Sequence, residues 1–378
     1  MDRIFEKGLG MKFQCNREEM ANALSAVNAV TAARTPKPIL QCVRIEAQPD
    51  VVLLTATDLE IGLRHATSQV EVGKTGEAVV RADLLAQIVR ECPDETLALD
   101  VSKSQLHIRG AGSHFQIATH AVEDFPPVAG FEGEADFTAP QGELRRMIEW
   151  TVFASARESS RYAINGVLWE QSNDRLSVVA TDGRRLSMAR GTVKPTKADG
   201  TSSSILAPKV LNLFTRLATD PDGQVHVKLT HNQVILNLGR AVLSSALVEG
   251  HFPNYRDVIP TDLTKTAELD TAEFQGALKR AALLTSEESR AVRLSLSSDT
   301  LVLSSRAPEQ GEASITMSIR YRGEPLDIGF NPVFLIDALR VTPTEKITML
   351  FREANRPGIM KLDDNFLYVV MPVSLGTV

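Results

Sequence analysis

Residues 16–30 of the chain read NREEMANALSAVNAV and contain the first of three similar helix-start patterns. Asn16 can cap a helix, because its side chain can accept a hydrogen bond from a free N–H of the first turn, and Glu19 follows three residues later. Apolar residues then recur at the spacing of one helix face, at Met20, Ala23, Leu24, Val27 and Val30. The segment therefore predicts an amphipathic helix that begins at Asn16.

The same pattern returns twice further along the chain. Thr138 stands three residues before Gln141, and Asp270 stands three residues before Glu273, each ahead of a new apolar stripe. A second helix is predicted in each third of the chain, and a proline opens the last two of these, where its missing N–H costs nothing. Their apolar stripes are Leu84, Leu85, Ile88 and Val89; Val210, Leu211, Phe214 and Leu217; and Phe334, Leu335, Ala338 and Leu339.

Runs of alternating apolar and polar residues lie between the helices. Examples are 97–101, 225–229 and 347–351, each followed by a second run at 105–108, 234–238 and 359–362. Short polar segments separate the paired runs, with Asn232 in the second gap and Asn355 and Gly358 in the third, as is typical of hairpins. Each third of the chain therefore consists of two similar half-units of strands and a helix. This pattern predicts an α+β fold with antiparallel sheets and with helices on one face.

Phe-Pro pairs beside polar turn residues, at 124–127 and at 251–254, mark the ends of the first two repeats. We therefore predict three similar domains over residues 11–130, 131–257 and 258–378, preceded by an N-terminal extension over residues 1–10. A chain that repeats one unit in this way is typical of a repeat-built architecture.

The composition describes an ordinary globular protein. The 378 residues are 43% hydrophobic and 23% charged, which excludes a disordered or collagen-like chain. The net charge of −6, taken alone, argues against a nucleic-acid binder. The three cysteines form no CxxC pair, so we expect reduced, buried thiols and a cytoplasmic location. No stretch is long and apolar enough to predict a membrane helix.

The chain resembles one family, the bacterial DNA polymerase III β subunit or β sliding clamp, over nearly its whole length from Met11. The matching stretches are MKF at 11–13, PIL at 38–40, TATDLE at 55–60, RYAING at 161–166, VATDGRRL at 179–186, FPNYR at 252–256, GFN at 329–331 and YVVMP at 368–372. Their order and spacing carry the resemblance more than any one of them does. Residues 1–10 and 376–378 extend beyond the usual ends of the family.

The resemblance implies a DNA clamp fold, with antiparallel sheets outside and helices lining a central channel. It implies a ring-shaped homodimer, closed head to tail, that encircles duplex DNA without sequence specificity. The ring would tether the replicative DNA polymerase of the DNA polymerase III holoenzyme and perform no catalysis, with no cofactor and no metal. An acidic exterior suits such a ring, because retention comes from closure and only a few basic contacts face the DNA.

The resemblance also assigns residues to three sites. DNA would be contacted by Arg34, Arg157, Arg161, Tyr162 and Lys209. A pocket would receive short hydrophobic peptides of the polymerase, the clamp loader, other DNA polymerases, and mismatch-repair and ligase-type proteins. Its residues would be Ile164, Thr181, Gly183, Arg184, Arg185, Leu186, Pro253, Val258, Asn331, Phe334, Val369, Val370, Met371, Pro372, Val373 and Leu375. The subunit interface would pair Phe115 and Ile117 with Leu283 and Leu284 of a second copy.

Other interpretations of the same residues stay open at this point. Asp58 and Asp182 recur in Thr-Asp contexts and could be a catalytic pair of a hydrolase or transferase, although repeated turns explain them more simply. Residues 110–113, GAGS, could bind phosphate or form a tight turn. Asp363 and Asp364 could bind a metal or form a hairpin turn. The basic helix residues could be a solvated surface of a protein-interaction scaffold that binds no DNA. Common enzyme motifs such as GxSxG and HExxH are missing from the sequence.

Overall fold

A computed structural model describes residues 10–32, 34–158, 161–196, 200–285, 291–308, 310–362 and 364–375. The chain forms two compact units. The first unit contains the described residues of 1–142, 194–198 and 209–247, and the second contains those of 143–193, 199–208 and 248–378. The middle repeat thus contributes to both units, and the boundaries at residues 131 and 258 remain predictions. Among the described residues, no helix is both long and apolar enough to cross a membrane.

Six α-helices lie in this described part: α1 Arg17–Asn28, α2 Ala82–Glu91, α3 Gln141–Glu149, α4 Pro208–Leu217, α5 Thr271–Ala282 and α6 Pro332–Arg340. They are the six that the sequence predicted. Asn16 caps α1 by accepting a 3.0 Å bond from the N–H of Glu19, and Asp270 caps α5 by accepting a 2.8 Å bond from that of Glu273. These two capping predictions are confirmed.

Two details of the helix prediction are wrong. Thr138 does not cap α3, because it pairs with His226 inside a sheet and the helix begins only at Gln141. Leu84 does not belong to the buried stripe of α2, which is formed by Ala82, Leu85, Ile88 and Val89. Because these residues repeat every three or four positions, Leu84 lies off that face and is exposed.

The strands follow the chain as a series of hairpins. The first thirteen are β1 Lys12–Asn16, β2 Cys42–Gln48, β3 Val51–Thr57, β4 Ile61–Thr67, β5 Val70–Lys74, β6 Gly76–Arg81, β7 Thr96–Ser102, β8 Gln105–Arg109, β9 His114–Ala118, β10 Phe137–Pro140, β11 Val167–Ser172, β12 Arg175–Thr181 and β13 Arg185–Thr192. The others are β14 Lys194–Pro195, β15 Thr201–Leu206, β16 Gln224–Leu229, β17 Gln233–Asn237, β18 Ala241–Ala246, β19 Lys265–Asp270, β20 Val292–Ser297, β21 Thr300–Ala307, β22 Gly311–Ser318, β23 Arg320–Arg322, β24 Leu326–Phe330, β25 Lys346–Phe351, β26 Gly358–Lys361 and β27 Phe366–Val370.

Each unit contains two antiparallel sheets. The first unit has a five-stranded sheet in the order β5-β1-β7-β8-β9 and a nine-stranded sheet in the order β14-β10-β16-β17-β18-β4-β3-β2-β6. The second has a nine-stranded sheet in the order β15-β11-β12-β13-β27-β26-β25-β19-β23 and a four-stranded sheet in the order β22-β21-β20-β24. The antiparallel α+β prediction is therefore confirmed.

Both nine-stranded sheets are assembled in the same way. Five strands from one repeat join four strands from the neighbouring repeat, at β18·β4 in the first unit and at β27·β13 in the second. In the part of the chain that the structure describes, the five-stranded and four-stranded sheets have no such partner. Within the described residues, β9 pairs only with β8, and β22 pairs only with β21. The described structure therefore contains one five-stranded sheet, ending at β9, and one four-stranded sheet, ending at β22, that are not joined to a sheet of a neighbouring repeat.

Cys15, Cys42 and Cys92 are buried and form no disulfide, as the sequence predicted. Burial raises the pKa of the Cys15 thiol to about 12, with a smaller contribution from the nearby Glu19 carboxylate. The neutral thiol therefore packs as a small apolar side chain.

Candidate functional site

The Thr-Asp motifs form two copies of one turn, between β3 and β4 and between β12 and β13. In the first copy, the Thr57 hydroxyl donates to the carbonyl of Ile61, and the Leu59 N–H donates to that hydroxyl, at 2.8 and 2.9 Å. In the second copy, Thr181 donates to the carbonyl of Arg185, and the Gly183 N–H donates to Thr181, at 2.6 and 3.1 Å. The two repeats of the chain are therefore similar even in the individual hydrogen bonds of this turn.

The aspartates complete these turns. Asp58 Oδ1 accepts from the N–H groups of Glu60 and Ile61, at 3.0 and 2.7 Å. Asp182 Oδ1 accepts from those of Arg184 and Arg185, at 2.9 and 3.1 Å. The second oxygen of Asp58 pairs with the Lys209 ammonium, and that of Asp182 pairs with the Arg185 guanidinium. Both carboxylates are engaged in holding turns, which supports the turn interpretation over a catalytic pair.

Arg185 links the second turn to helix α6. Its guanidinium donates to Asp337 Oδ2 at 2.8 Å and to the carbonyl of Phe153 at 3.0 Å. It also lies over the rings of Phe153 and Phe334, 5.5 and 4.7 Å from their centroids. Two carboxylates and two aromatic faces compensate this largely buried cation. Arg185 therefore fixes one wall of the adjoining cavity.

The cavity next to this turn has a volume of about 250 Å³ and lies within the second unit. Most of its wall is apolar. Ten of the predicted pocket residues line it: Ile164, Thr181, Gly183, Arg184, Arg185, Leu186, Pro253, Val258, Val369 and Met371. The structure thus brings together residues that lie up to 207 positions apart in the sequence, from Ile164 to Met371.

The other six predicted pocket residues do not line the cavity. Val370 is fully buried in β27, facing away from the cavity. Asn331 caps α6, and Phe334 packs on Arg185 and accepts a 2.8 Å hydrogen bond from the Tyr368 hydroxyl at its carbonyl. Val373 donates its N–H to the Gly329 carbonyl, and Pro372 and Leu375 belong to the same terminal segment. These residues support the wall from behind or continue beyond it.

Three further residues line the cavity: Tyr162, Asn254 and Tyr255. Tyr162 was predicted to contact DNA, and the other two lie in the FPNYR stretch at 252–256. The buried Tyr255 hydroxyl donates to Glu170 Oε2 at 2.7 Å, and Arg256 binds the same oxygen at 2.7 Å. Burial, then this hydrogen bond, raises the pKa of Tyr255 well above its usual value, so the hydroxyl remains a donor. The bond anchors the 3₁₀ turn Tyr255–Val258 as the second wall.

The remaining residues assigned to DNA are exposed basic side chains. Arg34 and Lys209 belong to the first unit, and Arg157 and Arg161 belong to the second. Lys209 is paired with Asp58, and the Arg161 guanidinium lies 6.0 Å from the centroid of the Tyr162 ring. Tyr162 and Arg161 therefore stand at the edge of the cavity, close to the surface assigned to partner peptides.

The residues assigned to the subunit interface differ in exposure. Leu283 directly follows α5 and is 75% exposed, and Phe115 on the edge strand β9 is 37% exposed. Ile117 is only 8% exposed, because it packs beside Leu106 of β8. Phe115 and Leu283 are thus exposed apolar side chains and Leu284 is partly exposed, whereas Ile117 belongs to the core of its own sheet.

The structure bears on one of the two remaining alternative sites, the 110–113 loop. The 110–113 segment is the loop of the β8–β9 hairpin, and the Ala111 N–H donates to an Asp94 carboxylate at 2.9 Å. The Gly110 N–H also donates to the Ser113 carbonyl at 3.0 Å, so these N–H groups already have partners within the protein, which supports the turn interpretation. Asp363, considered as half of a metal site, lies outside the described residues.

Comparisons with known proteins agree with this architecture. Three sequence models of the DNA polymerase III beta subunit match the chain. The model of the N-terminal domain matches residues 11–129, that of the central domain matches residues 138–254, and that of the C-terminal domain matches residues 256–374. The beta sliding clamp of Pseudomonas putida is 33% identical over 368 residues, which is 97% of this chain and 100% of that protein. The beta sliding clamp of Escherichia coli K12 is 31% identical over 372 residues, with 97% and 100% coverage.

Solved structures are similar over the same length. The sliding clamp of Pseudomonas aeruginosa bound to griselimycin has a TM-score of 0.91 at 32% identity and covers 97% of this chain and 100% of that chain. The sliding clamp of Bacillus subtilis has a TM-score of 0.89 at 25% identity, with 96% and 99% coverage. The chain belongs to the DNA polymerase III beta subunit family: it has the three-domain clamp fold, and it is a beta sliding clamp, the non-catalytic processivity factor of DNA polymerase III.

Proposed function

We propose that two copies of this chain close head to tail into a ring whose helices face a central channel containing duplex DNA. The observation that carries this proposal is the pair of unjoined sheets. A five-stranded part ends at β9 and a four-stranded part ends at β22, and parts of these sizes join elsewhere in the chain at β18·β4 and β27·β13. Pairing of β9 with β22 of a second copy makes a third nine-stranded sheet, and two such pairings leave no interface open.

The internal junctions predict the register of the missing one. Leu243 and Tyr368 each pair with the second-last residue of the preceding strand, and so does Phe115. Across the junctions, Leu243 faces Leu63, and Tyr368 faces Ser187. Leu63 and Ser187 each pair with the residue that lies five positions after the first residue of the preceding strand. Ala313 of β22 pairs with the residue at the same place in β21, so Ala313 is the equivalent of Leu63 and Ser187 in the four-stranded sheet. Phe115 should therefore face Ala313 of a second copy.

Cysteine cross-linking tests this register. A chain with Phe115→Cys and Ala313→Cys should form disulfide-linked dimers under mild oxidation, because facing residues of paired strands lie within disulfide reach. The native cysteines are buried and should not compete. The matched control keeps Phe115→Cys and moves the second cysteine to Ser318, at the far end of β22. Equal cross-linking of the two variants, or none in either, would contradict the proposed junction.

We further propose that the ring holds DNA through weak contacts with phosphates from Arg34, Arg157, Arg161 and Lys209, together with Tyr162. Such contacts carry no sequence information, so the ring can slide. A net charge of −6 is compatible with this, because retention depends on closure and not on affinity. Binding to short duplexes should be weak, salt-dependent and insensitive to base sequence, and a strong preference for one sequence would contradict it.

We also propose that the apolar cavity binds short hydrophobic peptides of the replicative polymerase, the clamp loader and other replication and repair proteins, in the cytoplasm of a bacterium. Val258, 52% exposed, lines the cavity, and Val333, 53% exposed, does not. Val258→Asp should abolish binding of a fluorescent Gln-Leu-Ser-Leu-Phe peptide, since burying a carboxylate is costly. Val333→Asp is the matched control and should bind normally. Unchanged affinity in Val258→Asp would place the peptide site elsewhere.

A further inference from the structure

Two histidines meet on the solvent-facing side of the five-stranded sheet, next to its edge strand β9. His107 of β8 and His114 of β9 are diagonal neighbours across the hairpin, since His107 pairs with Gln116 and His114 pairs with Arg109. His107 Nδ1 and His114 Nε2 are 3.1 Å apart, and the two ring centroids are 5.4 Å apart. The two nitrogens therefore face each other and share one hydrogen.

This separation is close to that of two ligands on one zinc ion. Imidazole nitrogens bind Zn²⁺ at about 2.0–2.1 Å, which places two of them about 3.3 Å apart around a tetrahedral ion. Both rings reach solvent, so a small tilt of each ring can aim the two lone pairs at one ion. The hydrogen of His114 then resides on Nδ1, the other nitrogen of its ring.

Ser102 orients the first of the two rings. Its hydroxyl lies 2.9 Å from Nε2 of His107. When Nε2 carries the hydrogen and donates it to Ser102, the lone pair of Nδ1 points towards His114. Metal-binding histidines usually have such a partner on the second nitrogen, because it fixes the ring and its tautomer. His107 is therefore held in the orientation that a metal ligand needs.

A single chain supplies no third ligand of this kind. Within the described ranges, no group of three or more His, Cys, Asp or Glu side chains could hold a metal ion. Asp100 pairs with His107 in the sheet register, but its carboxylate binds the Arg109 guanidinium. That ion pair also neutralises the cation that lies opposite His114. Two imidazoles of one chain therefore leave two positions of a tetrahedral ion open.

The register of the proposed ring brings a carboxylate to the same side of the sheet. In that register, Gln116 faces Glu312 of a second copy, so Glu312 of a second copy is the diagonal neighbour of His114. Diagonal neighbours lie about 7–8 Å apart, within reach of long side chains. Within its own chain, Glu312 pairs with Arg306, and the two side chains are 68% and 65% exposed. So exposed an ion pair contributes little and competes weakly with a metal ion.

We propose that His107 and His114 bind Zn²⁺ and that Glu312 of a second copy completes the site across the junction. This inference rests on the proposed ring and its register. Two imidazoles and one carboxylate are ligands that suit this ion, and water takes the fourth position. Because the complete site exists only where two chains meet, zinc favours the closed junction over separated chains.

Competition with a fluorescent zinc indicator tests the histidine pair. Wild-type protein should bind one Zn²⁺ per chain, and His107→Gln and His114→Gln should each weaken binding at least about 10-fold. His231→Gln is the matched control, because it removes an exposed histidine of the β16–β17 hairpin, and it should bind zinc as wild-type protein does. No zinc binding by wild-type protein, or unchanged binding in both pair variants, would overturn the inference.

Subunit exchange tests the third ligand. Two batches of protein carry different fluorophores at the N-terminus, and energy transfer measures how fast mixed dimers form. Zinc should slow the exchange of wild-type protein at least about 3-fold, and EDTA should restore the original rate. Glu312→Gln should form dimers whose exchange does not respond to zinc. Glu324→Gln, which removes an exposed carboxylate just before β24, is the matched control and should keep the response.

The outcomes separate this inference from the ring on which it rests. A wild-type dimer whose exchange ignores zinc would overturn the inference and leave the ring intact. A zinc response that persists in Glu312→Gln would do the same. Wild-type protein that is monomeric both with and without zinc would overturn the proposed ring as well.

Discussion

Leu59 and Gly183 occupy the same position in the two copies of the Thr-Asp turn, with φ values of +81° and +83°. This backbone conformation is free of strain for glycine and costs other residues about 1–2 kcal/mol. The first turn tolerates Leu59 because the hydrogen bonds of Thr57 and Asp58 hold it in place. The same hydrogen-bonding frame thus supports a strained residue in one repeat and a relaxed one in the other.

Exchange of these residues should shift stability in opposite directions. Leu59→Gly should raise the free energy of unfolding by about 0.5 kcal/mol, since relief of strain exceeds the entropy cost of an added glycine. Gly183→Ala should lower it by about 1 kcal/mol through the backbone alone, because no atom lies within 4 Å of the added Cβ. Urea denaturation monitored by circular dichroism measures both changes. Equal signs for the two variants would contradict the argument.

His65 makes the first unit sensitive to acid. Burial, chiefly, and the nearby Arg240 lower the pKa of His65 below its usual value, although Glu19 opposes this. The unfolded chain therefore takes up the proton more readily than the folded chain does. The contribution of the neutral His65 side chain to the free energy of unfolding is fully present above about pH 6.5, the pKa of histidine in the unfolded chain. It is lost as the pH falls towards the pKa of His65 in the folded chain, and the free energy of unfolding decreases by no more than about 1.4 kcal/mol per pH unit.

Between pH 7.5 and pH 5.5, wild-type protein should thus lose more stability than His65→Gln, as measured by urea denaturation at the two pH values. The exposed His226 provides a matched control. His226→Gln should lose as much stability as wild-type protein over this range. If His65→Gln were equally acid-sensitive, another group would have to account for the loss.

At the scale of elements, the helix starts separate what sequence can predict from what it cannot. Asn16 and Asp270 act locally, on an N–H three residues away, so the sequence alone identified them. Thr138 has the same local pattern, but strand pairing with His226 holds its backbone extended. The same distinction applies to the cavity. The family resemblance predicted most of the lining residues, but it did not predict Tyr255. Tyr255 lines the cavity because Glu170, which is far away in the sequence, anchors the turn that contains it.

Removal of the true caps should loosen the first turns of their helices. Asn16→Ala and Asp270→Ala each lose one capping bond, at a cost of about 1 kcal/mol. The amide protons of Glu19 and Glu273 should therefore exchange with solvent several-fold faster, as hydrogen exchange with NMR or mass spectrometry can measure. Thr138→Ala serves as the comparison, and the first turn of α3 should keep its protection. Faster exchange there would restore Thr138 as a cap.

At the scale of the whole molecule, the proposed ring assigns the contact between two chains to the exposed Leu283 and the edge strand β9. Leu283→Ala combined with Leu284→Ala should yield folded monomers, because an exposed leucine lost at an interface removes both apolar area and packing. Size-exclusion chromatography with light scattering at low micromolar concentration measures the change. The monomeric variant should also fail to stay on circular DNA. A double variant that remained dimeric would contradict the assigned interface.

The two kinds of sheet junction also differ in how firmly they are held. At β18·β4 and β27·β13, both strands belong to one chain, so the covalent linkage keeps their effective concentration high, and a ruptured junction re-forms at once. The junction proposed between β9 and β22 has no such tether. Under an opening force, the intermolecular junctions would part first, and both units would remain folded. The places where the protein is left without a partner sheet are therefore the gates through which DNA would enter.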